Sequence, residues 1–435
     1  MMNYSIYRKS NGGILMDKKI NNVRKPDTFD SEYMEGLDKL FKENADLAEF
    51  KWFLDEAYDR AYSAEHKKRD VVILGTMIPE ELVIAAGVQP RWIIGGSLGS
   101  TAWSDDIVPR DTDPISRSVL GYINRPESDF SDTLFIIPLI RDSMRKIAGE
   151  LRSKGMKICL VDIPPDRRDV YGAEKFKKQL KEMCAAAAAH TGSKVTRRGI
   201  VSAMKRVSAA RAALRRFMEV SRGKAHIITD AARMLVGNSY YMTASLDEWT
   251  FRTEALSDEI EYRADRLKNR KRSRPEVIIA GSPVLFPNYK VPFLVQDSGL
   301  SVWGTVDPLT MKSSVIYDKN MMRGSMDRLI GNIASLWRRY DASSAYIKND
   351  VIYDCIAYLA GKGSVEGVVY HVLKGQIEYD FELERIESML SKFGIPVFRL
   401  ETDYQYQDVE QLRIRMEAFS EMLVQNRYRR ERNVS

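Results

Sequence analysis

Cysteine is scarce in this chain, and its scarcity excludes several chemistries at once. Only three are present among 435 residues, and no two form a CxxC pair. A disulfide framework and a structural zinc site are therefore excluded. A compartment that keeps thiols reduced, the cytoplasm, is the expected location. Cys159 lies in an apolar run over 158–161, and Cys355 shares a helical face with Ile352, Ile356 and Leu359. Cys184 precedes five alanines in a predicted helix. All three read as small buried hydrophobes rather than ligands.

Other absences narrow the field further. No apolar run reaches the roughly 18 residues of a membrane span, and the N-terminus lacks the apolar stretch of a secretory signal. Residues 1–15 are polar and glycine-containing and read as a disordered leader, with Met16 a candidate natural start. The run Gly95-Gly96-Ser97-Leu98-Gly99 does not fit GxGxxG, and Gly361-Lys362-Gly363-Ser364 lacks the upstream glycine of a P-loop. The chain therefore does not read as an ATP-hydrolysing or dinucleotide-binding protein. No Ser-His-Asp or paired-carboxylate constellation stands out.

What is present is an ordinary globular composition, 44% hydrophobic and 29% charged. Its length is enough for two or three domains. The net charge of +7, from 67 basic and 60 acidic residues, gathers in 268–274 and 427–432. These read as a linker and a tail without the interleaved aromatics of a single-strand binder. Neither nucleic acid nor membrane is expected as a partner. An anionic small molecule needs only a few Arg or Lys donors.

Apolar, β-branched runs alternate with helical patterns twice along the chain. They fall at 71–74, 92–94, 134–138 and 158–162, and again at 277–280, 301–304, 367–372 and 396–400. Continuous Val/Ile runs between helices indicate parallel sheets covered on both faces. The pattern predicts an α/β protein with two doubly wound parallel-sheet domains, flavodoxin- or Rossmann-like, over 66–195 and 275–435. A helical N-terminal segment spans 16–65, and a helical connector spans 196–274. Within the connector, the basic stretch 206–222 reads as a solvated helix face. Leu383, Ile386, Leu390 and Phe393 mark one face of a helix ending before Gly394. Val409, Leu412, Met416, Phe419 and Leu423 mark another. The two similar halves suggest a pseudo-repeat of fold. In such sheets, sites lie beyond the carboxyl ends of the strands, so the loops near Gly281, Asp142, Lys374 and Asp403 should converge on the interdomain cleft.

Several ordered blocks carry a more specific signal. Residues 73–87 read ILGTMIPEELVIAAG, 108–114 read VPRDTDP, 117–121 read RSVLG and 135–142 read FIIPLIRD. Later, 366–376 read EGVVYHVLKGQ, 401–404 read ETDY and 411–419 read QLRIRMEAF. Together, over about 65–425, they resemble the 2-hydroxyacyl-CoA dehydratase D-component family, which includes the core subunits of ATP-dependent benzoyl-CoA reductase. In that family three cysteines hold a 4Fe-4S cluster. The frames where those ligands belong carry Asp113, Arg141 and Gln376 here. A guanidinium has no lone pair to give an iron, and an amide is a poor ligand. The resemblance thus implies a member that holds no cluster of its own. Either Asp113 and Arg141 pair across the old cluster pocket with Gln376 alongside, or the three are ordinary loop residues.

The resemblance also suggests roles for other residues. Glu81, at the first strand-to-helix turn, is a candidate for proton transfer or substrate binding, or a first-turn glutamate favoured by the helix dipole. His371 is a candidate proton-transfer group or a structural histidine at a strand end. Arg110, Lys374 and Ser282 are candidate acyl-CoA-binding residues. The function implied is a core subunit of a low-potential acyl-CoA reductase or dehydratase, with the block 375–382 leaning towards the benzoyl-CoA reductase branch. Its expected partners are a cysteine-bearing paralogous subunit holding the 4Fe-4S cluster, an ATP-dependent iron–sulfur activator, and a coenzyme A thioester as substrate. The alternative is a non-catalytic acyl-CoA-binding or scaffold protein.

Overall fold

A computed structural model describes residues 7–10, 13–16, 28–62, 69–126, 128–267, 274–362 and 365–434. Of the leader read over 1–15, residues 1–6 and 11–12 lie outside these, and Tyr7–Ser10 (β1) and Gly13–Met16 (β2) pair antiparallel. The basic residues 268–273 also lie outside the described residues.

All eight apolar runs become strands, each within about two residues of the hydrophobic pattern. In the first half they are Asp70–Leu74 (β3), Arg91–Ile93 (β4), Thr133–Leu139 (β5) and Lys157–Asp162 (β6). In the second they are Glu276–Gly281 (β7), Ser301–Val306 (β8), Val365–Leu373 (β9) and Val397–Thr402 (β10). The sheets run β4-β3-β5-β6 and β10-β9-β7-β8, with every pair parallel. Counted within its own half, each sheet has the order 2-1-3-4. The pseudo-repeat is thus a repeat of topology. The order matches the start of the flavodoxin-like arrangement, whose switch point falls between its first and third strands.

Strand alternation builds the layers. Val71 and Ile73 face a large core shared with the N-terminal helices, the connector and the inner face of the second sheet. Val72 and Leu74 face the opposite way, onto the helices Pro114–Asn124 and Asp142–Ser153. The second sheet does the same, with Ile278, Val368 and Tyr370 packed on the helices Asp350–Gly361 and Asp380–Ser391. The connector helices Arg197–Val220, Asp230–Ser239 and Leu246–Arg266 lie inside the shared core. One face of each sheet lies in the shared core, and the other packs on helices of its own half. Among the described residues, no helix is long and apolar enough to cross a membrane.

Three expectations need correction. Phe393 is 68% exposed, because the helix ends at Ser391 and the chain turns at Gly394 with φ of 63°. The basic stretch 206–222 is not wholly solvated either, since Arg211 is fully buried. Cys184 is buried as expected, whereas Cys159 and Cys355 are half-buried. Burial still pushes all three thiols up to about 11, which leaves them protonated and unreactive at neutral pH.

Candidate functional site in the cleft between the sheets

The loops leaving the switch-point strands meet. Thr76 and Met77 follow β3, Arg141 follows β5, Pro283 follows β7 and Tyr379 follows β9, and all line one small cavity. Its free volume is about 50 Å³. Two glycines allow this approach. Gly96 has φ of 113°, and a Cβ there would lie 2.4 Å from the carbonyl oxygen of Phe286 in the other half. Gly375 has φ of 80°, and a Cβ there would press on the backbone of Asp113 at 3.1 Å. No side chain fits at either position without moving backbone.

Asp113 is the N-cap of the Pro114–Asn124 helix, its Oδ1 accepting from the Ser116 amide at 3.0 Å. The same oxygen accepts from Arg141 Nη1 at 3.2 Å and from Gln376 Nε2 at 3.4 Å. Oδ2 accepts from Ser143 Oγ at 2.9 Å. Arg141 also reaches Ser344 Oγ at 3.4 Å, and its Nε lies 3.8 Å from Glu378 Oε1. Asp113, Arg141 and Gln376 are distant in sequence and come together in one cluster, Asp113 and Gln376 buried and the Arg141 side chain 13% exposed. Burial alone raises a carboxyl, but here Arg141 and the donors from Ser116 and Ser143 more than offset it. Asp113 is therefore held below the ordinary carboxylate range and stays ionised.

A 4Fe-4S cluster does not fit these donors. Four donors already surround the Asp113 carboxylate, Arg141 has no lone pair, and the Gln376 amide nitrogen faces Asp113. The thiols lie on β6 and on the helices Val170–Thr191 and Asp350–Gly361, outside this cluster. An internally neutralised ion pair occupies the frame positions that the resemblance reserves for thiolates.

Residues 75–423 match the 2-hydroxyglutaryl-CoA dehydratase D-component family. The chain belongs to that family. It is 23% identical over 394 residues to the (R)-phenyllactyl-CoA dehydratase beta subunit of Clostridium sporogenes, covering 90% of this chain and all of the relative. It is 22% identical over 384 residues to the beta subunit of (R)-2-hydroxyglutaryl-CoA dehydratase from Acidaminococcus fermentans, covering 83% and 94%. It is thus a D-component-type subunit, as its ordered blocks implied.

Other residues singled out in this D-component chain are held in different ways. Arg110 and Lys374 sit on the loops that meet at Gly375, Arg110 83% exposed and 3.6 Å from Asp105. Lys374 is exposed and bonds Asp403 at 2.8 Å. Ser282 is buried, its Oγ accepting from the Leu373 amide and its amide donating to the His371 carbonyl. His371 is buried in β9. Its Nδ1 faces the Ser282 carbonyl at 3.0 Å and its Nε2 faces Thr402 Oγ1 at 2.8 Å. A carbonyl only accepts, so Nδ1 carries the proton and Nε2 accepts from Thr402. That geometry leaves no ring nitrogen for a substrate.

Glu81 belongs to a buried charge network that sequence reading missed. Arg211 lies 2.9 Å from both Glu80 Oε1 and Glu81 Oε1. Tyr317 donates to Glu81 at 2.8 Å, and Tyr240 donates to Glu80. Lys312 lies 3.1 Å from Glu80 Oε2, with its ammonium 4.0 Å from the Trp92 ring centroid and 4.7 Å from that of Tyr241. Burial lowers Lys312 to about 8, against the pull of Glu80. Burial raises both glutamates, but Arg211 and Lys312 bring Glu80 below its ordinary value, while Glu81 remains raised. The network joins the first sheet's Glu80–Ala85 helix, the connector and the second half. A signal for Arg211 was present. It follows Met204 and Val207 and precedes Leu214 at helical spacing, on the buried stripe.

Proposed function

We propose that this chain is the cluster-free subunit of a 2-hydroxyacyl-CoA dehydratase-type enzyme, working beside a cysteine-bearing sister subunit that holds the 4Fe-4S cluster. An ATP-dependent iron–sulfur activator would supply that sister's low-potential electron. The observation that supports the cluster-free role is the Asp113–Arg141–Gln376 cluster, in which an ion pair and an amide stand where thiolates would. This chain's contribution is then a subunit surface and an acyl-CoA site in its own cleft, with Arg110 and Lys374, exposed on loops that meet at Gly375, to reach coenzyme A phosphates. Dehydration is favoured over ring reduction, because the similar proteins are named as dehydratase subunits.

A second reading draws on the same neutralised pair. A site with no free charge and no metal ligand also suits an acyl-CoA-binding protein without chemistry. Anaerobic purification from the native source, with native mass and identification of every co-purifying chain, separates the two. A stable complex with a cysteine-rich paralogue supports the subunit. A clean monomer or homodimer overturns it in favour of the binding protein.

A further inference from the structure

The helices Val170–Thr191 and Met326–Tyr340 pack antiparallel. Arg338 Nη2 donates to the carbonyls of Asp166 and Asp169 at one end, and Lys177 Nζ lies 2.8 Å from Asp327 at the other. Between the helices lies an open groove of about 470 Å³, far larger than the cavity in the cleft. Small side chains, Ala173, Gly331 and Ala334, keep it open. Four cations line it, Arg167, Lys177, Arg338 and Arg339, against one carboxylate, Glu174.

The charges do not balance within the chain. Asp327 is shared by Lys177 and Lys181, and Asp341 offsets Arg167. Arg338 is 7% exposed, its Nη2 is taken by two carbonyls, and its Nε has no hydrogen-bond partner. Among the described residues, no carboxylate lies within 4 Å of Arg338 or of the exposed Arg339. A buried charge that meets only neutral acceptors costs stability. An anion from outside the chain would relieve it.

The surroundings favour a protein over a small anion. Val170 and Tyr171, 73% and 88% exposed, open the Val170–Thr191 helix. Ile347, 72% exposed, is tied to the same loop, its amide donating to the Pro165 carbonyl at 3.0 Å. Its neighbour Tyr346 holds the Arg167 guanidinium 3.5 Å from its ring centroid. Tyrosine and arginine beside apolar groups are the anchors that protein interfaces favour, and a small anion would leave them uncovered. We infer that an acidic segment of a partner protein docks along this groove. Its carboxylates meet Arg338 and Arg339, and its apolar side chains cover Val170, Tyr171 and Ile347. The docking does not depend on the acyl-CoA reading.

The test compares wild type, Arg339→Glu and Glu174→Lys, each purified without oxygen from the native source with whatever chains accompany it. Both positions are exposed, so folding should hold, and thermal melts check this. A carbodiimide, which joins an amine to a carboxylate in contact with it, should link Lys177 to an Asp or Glu of one accompanying chain. Recovery of that chain should fall about tenfold in Arg339→Glu and rise in Glu174→Lys, and added salt should weaken it in wild type. Equal recovery of every chain from all three proteins, with Lys177 linked to Asp327 alone, overturns the docking. The subunit reading then stands, since a sister can be held elsewhere. Absence of any accompanying chain overturns both. Binding of inorganic phosphate that Arg339→Glu abolishes, with no chain linked to Lys177, reassigns the groove to a small anion and also overturns the docking.

Discussion

The Arg211 guanidinium stands 2.9 Å from Glu81 Oε1, and neither side chain meets solvent. Its other arm holds Glu80 at the same distance, so one cation serves two buried carboxylates from a single helical turn. Removing it leaves Lys312 to balance both. Arg211→Met should cost about 3–5 kcal/mol, the usual penalty for breaking a buried pair on one side. Adding Glu81→Gln to that variant leaves Lys312 paired with Glu80 and should recover much of the loss. Urea unfolding midpoints measure both, and an unchanged midpoint for Arg211→Met would remove this network from the forces joining the halves.

Iron content tests the donor argument. Purified alone without oxygen, the chain should carry no stoichiometric iron or acid-labile sulfide. Arg141→Cys should not create a site, because Asp113 remains surrounded by Ser116, Ser143 and Gln376. About four irons per chain, as a 4Fe-4S cluster requires, would falsify the cluster-free assignment.

The strands were legible because parallel strands buried on both faces must be continuous apolar runs, as β3 and β7 are. Helix ends were less so. Phe393 continues the spacing of Ile386 and Leu390, yet lies past the last helical turn. The meeting of Asp113, Arg141 and Gln376 was legible only through their sequence frames, since contacts across up to 263 positions leave no local pattern. Arg211 was hidden by its neighbours. Among several arginines on one helix, only the spacing of Met204, Val207 and Leu214 marks which one turns inward.

Asp113 has two separable tasks, capping a helix and pairing with Arg141. Asp113→Asn keeps an oxygen for the Ser116 amide but strips the charge from beside a buried guanidinium. It should cost about 3 kcal/mol or more, well above the ~1 kcal/mol of a lost cap. The double variant Asp113→Asn with Arg141→Gln should be more stable than Asp113→Asn alone. Thermal melts of the four proteins give the coupling, and simple additivity would mean that the pair contributes nothing.

His371 sets an acid limit on the fold. Burial holds its pKa down to about 4 against an ordinary 6.5, so the native ring stays neutral while the unfolded one takes a proton. The unfolded state therefore binds more protons between pH 6.5 and 4, and stability falls as pH drops through that window. The shift corresponds to a loss of about 3 kcal/mol by pH 4. Glu32 and Asp307, raised by burial to about 7 and about 6, act in the opposite direction, and other shifted carboxyls also contribute, so the wild-type curve is a mixture. His371→Gln isolates the histidine. Stability of wild type minus variant, measured by melts from pH 8 to 4, should be flat above 6.5 and decline below it. A difference that stays constant across the range would mean that the ring titrates normally and is not sealed between Ser282 and Thr402.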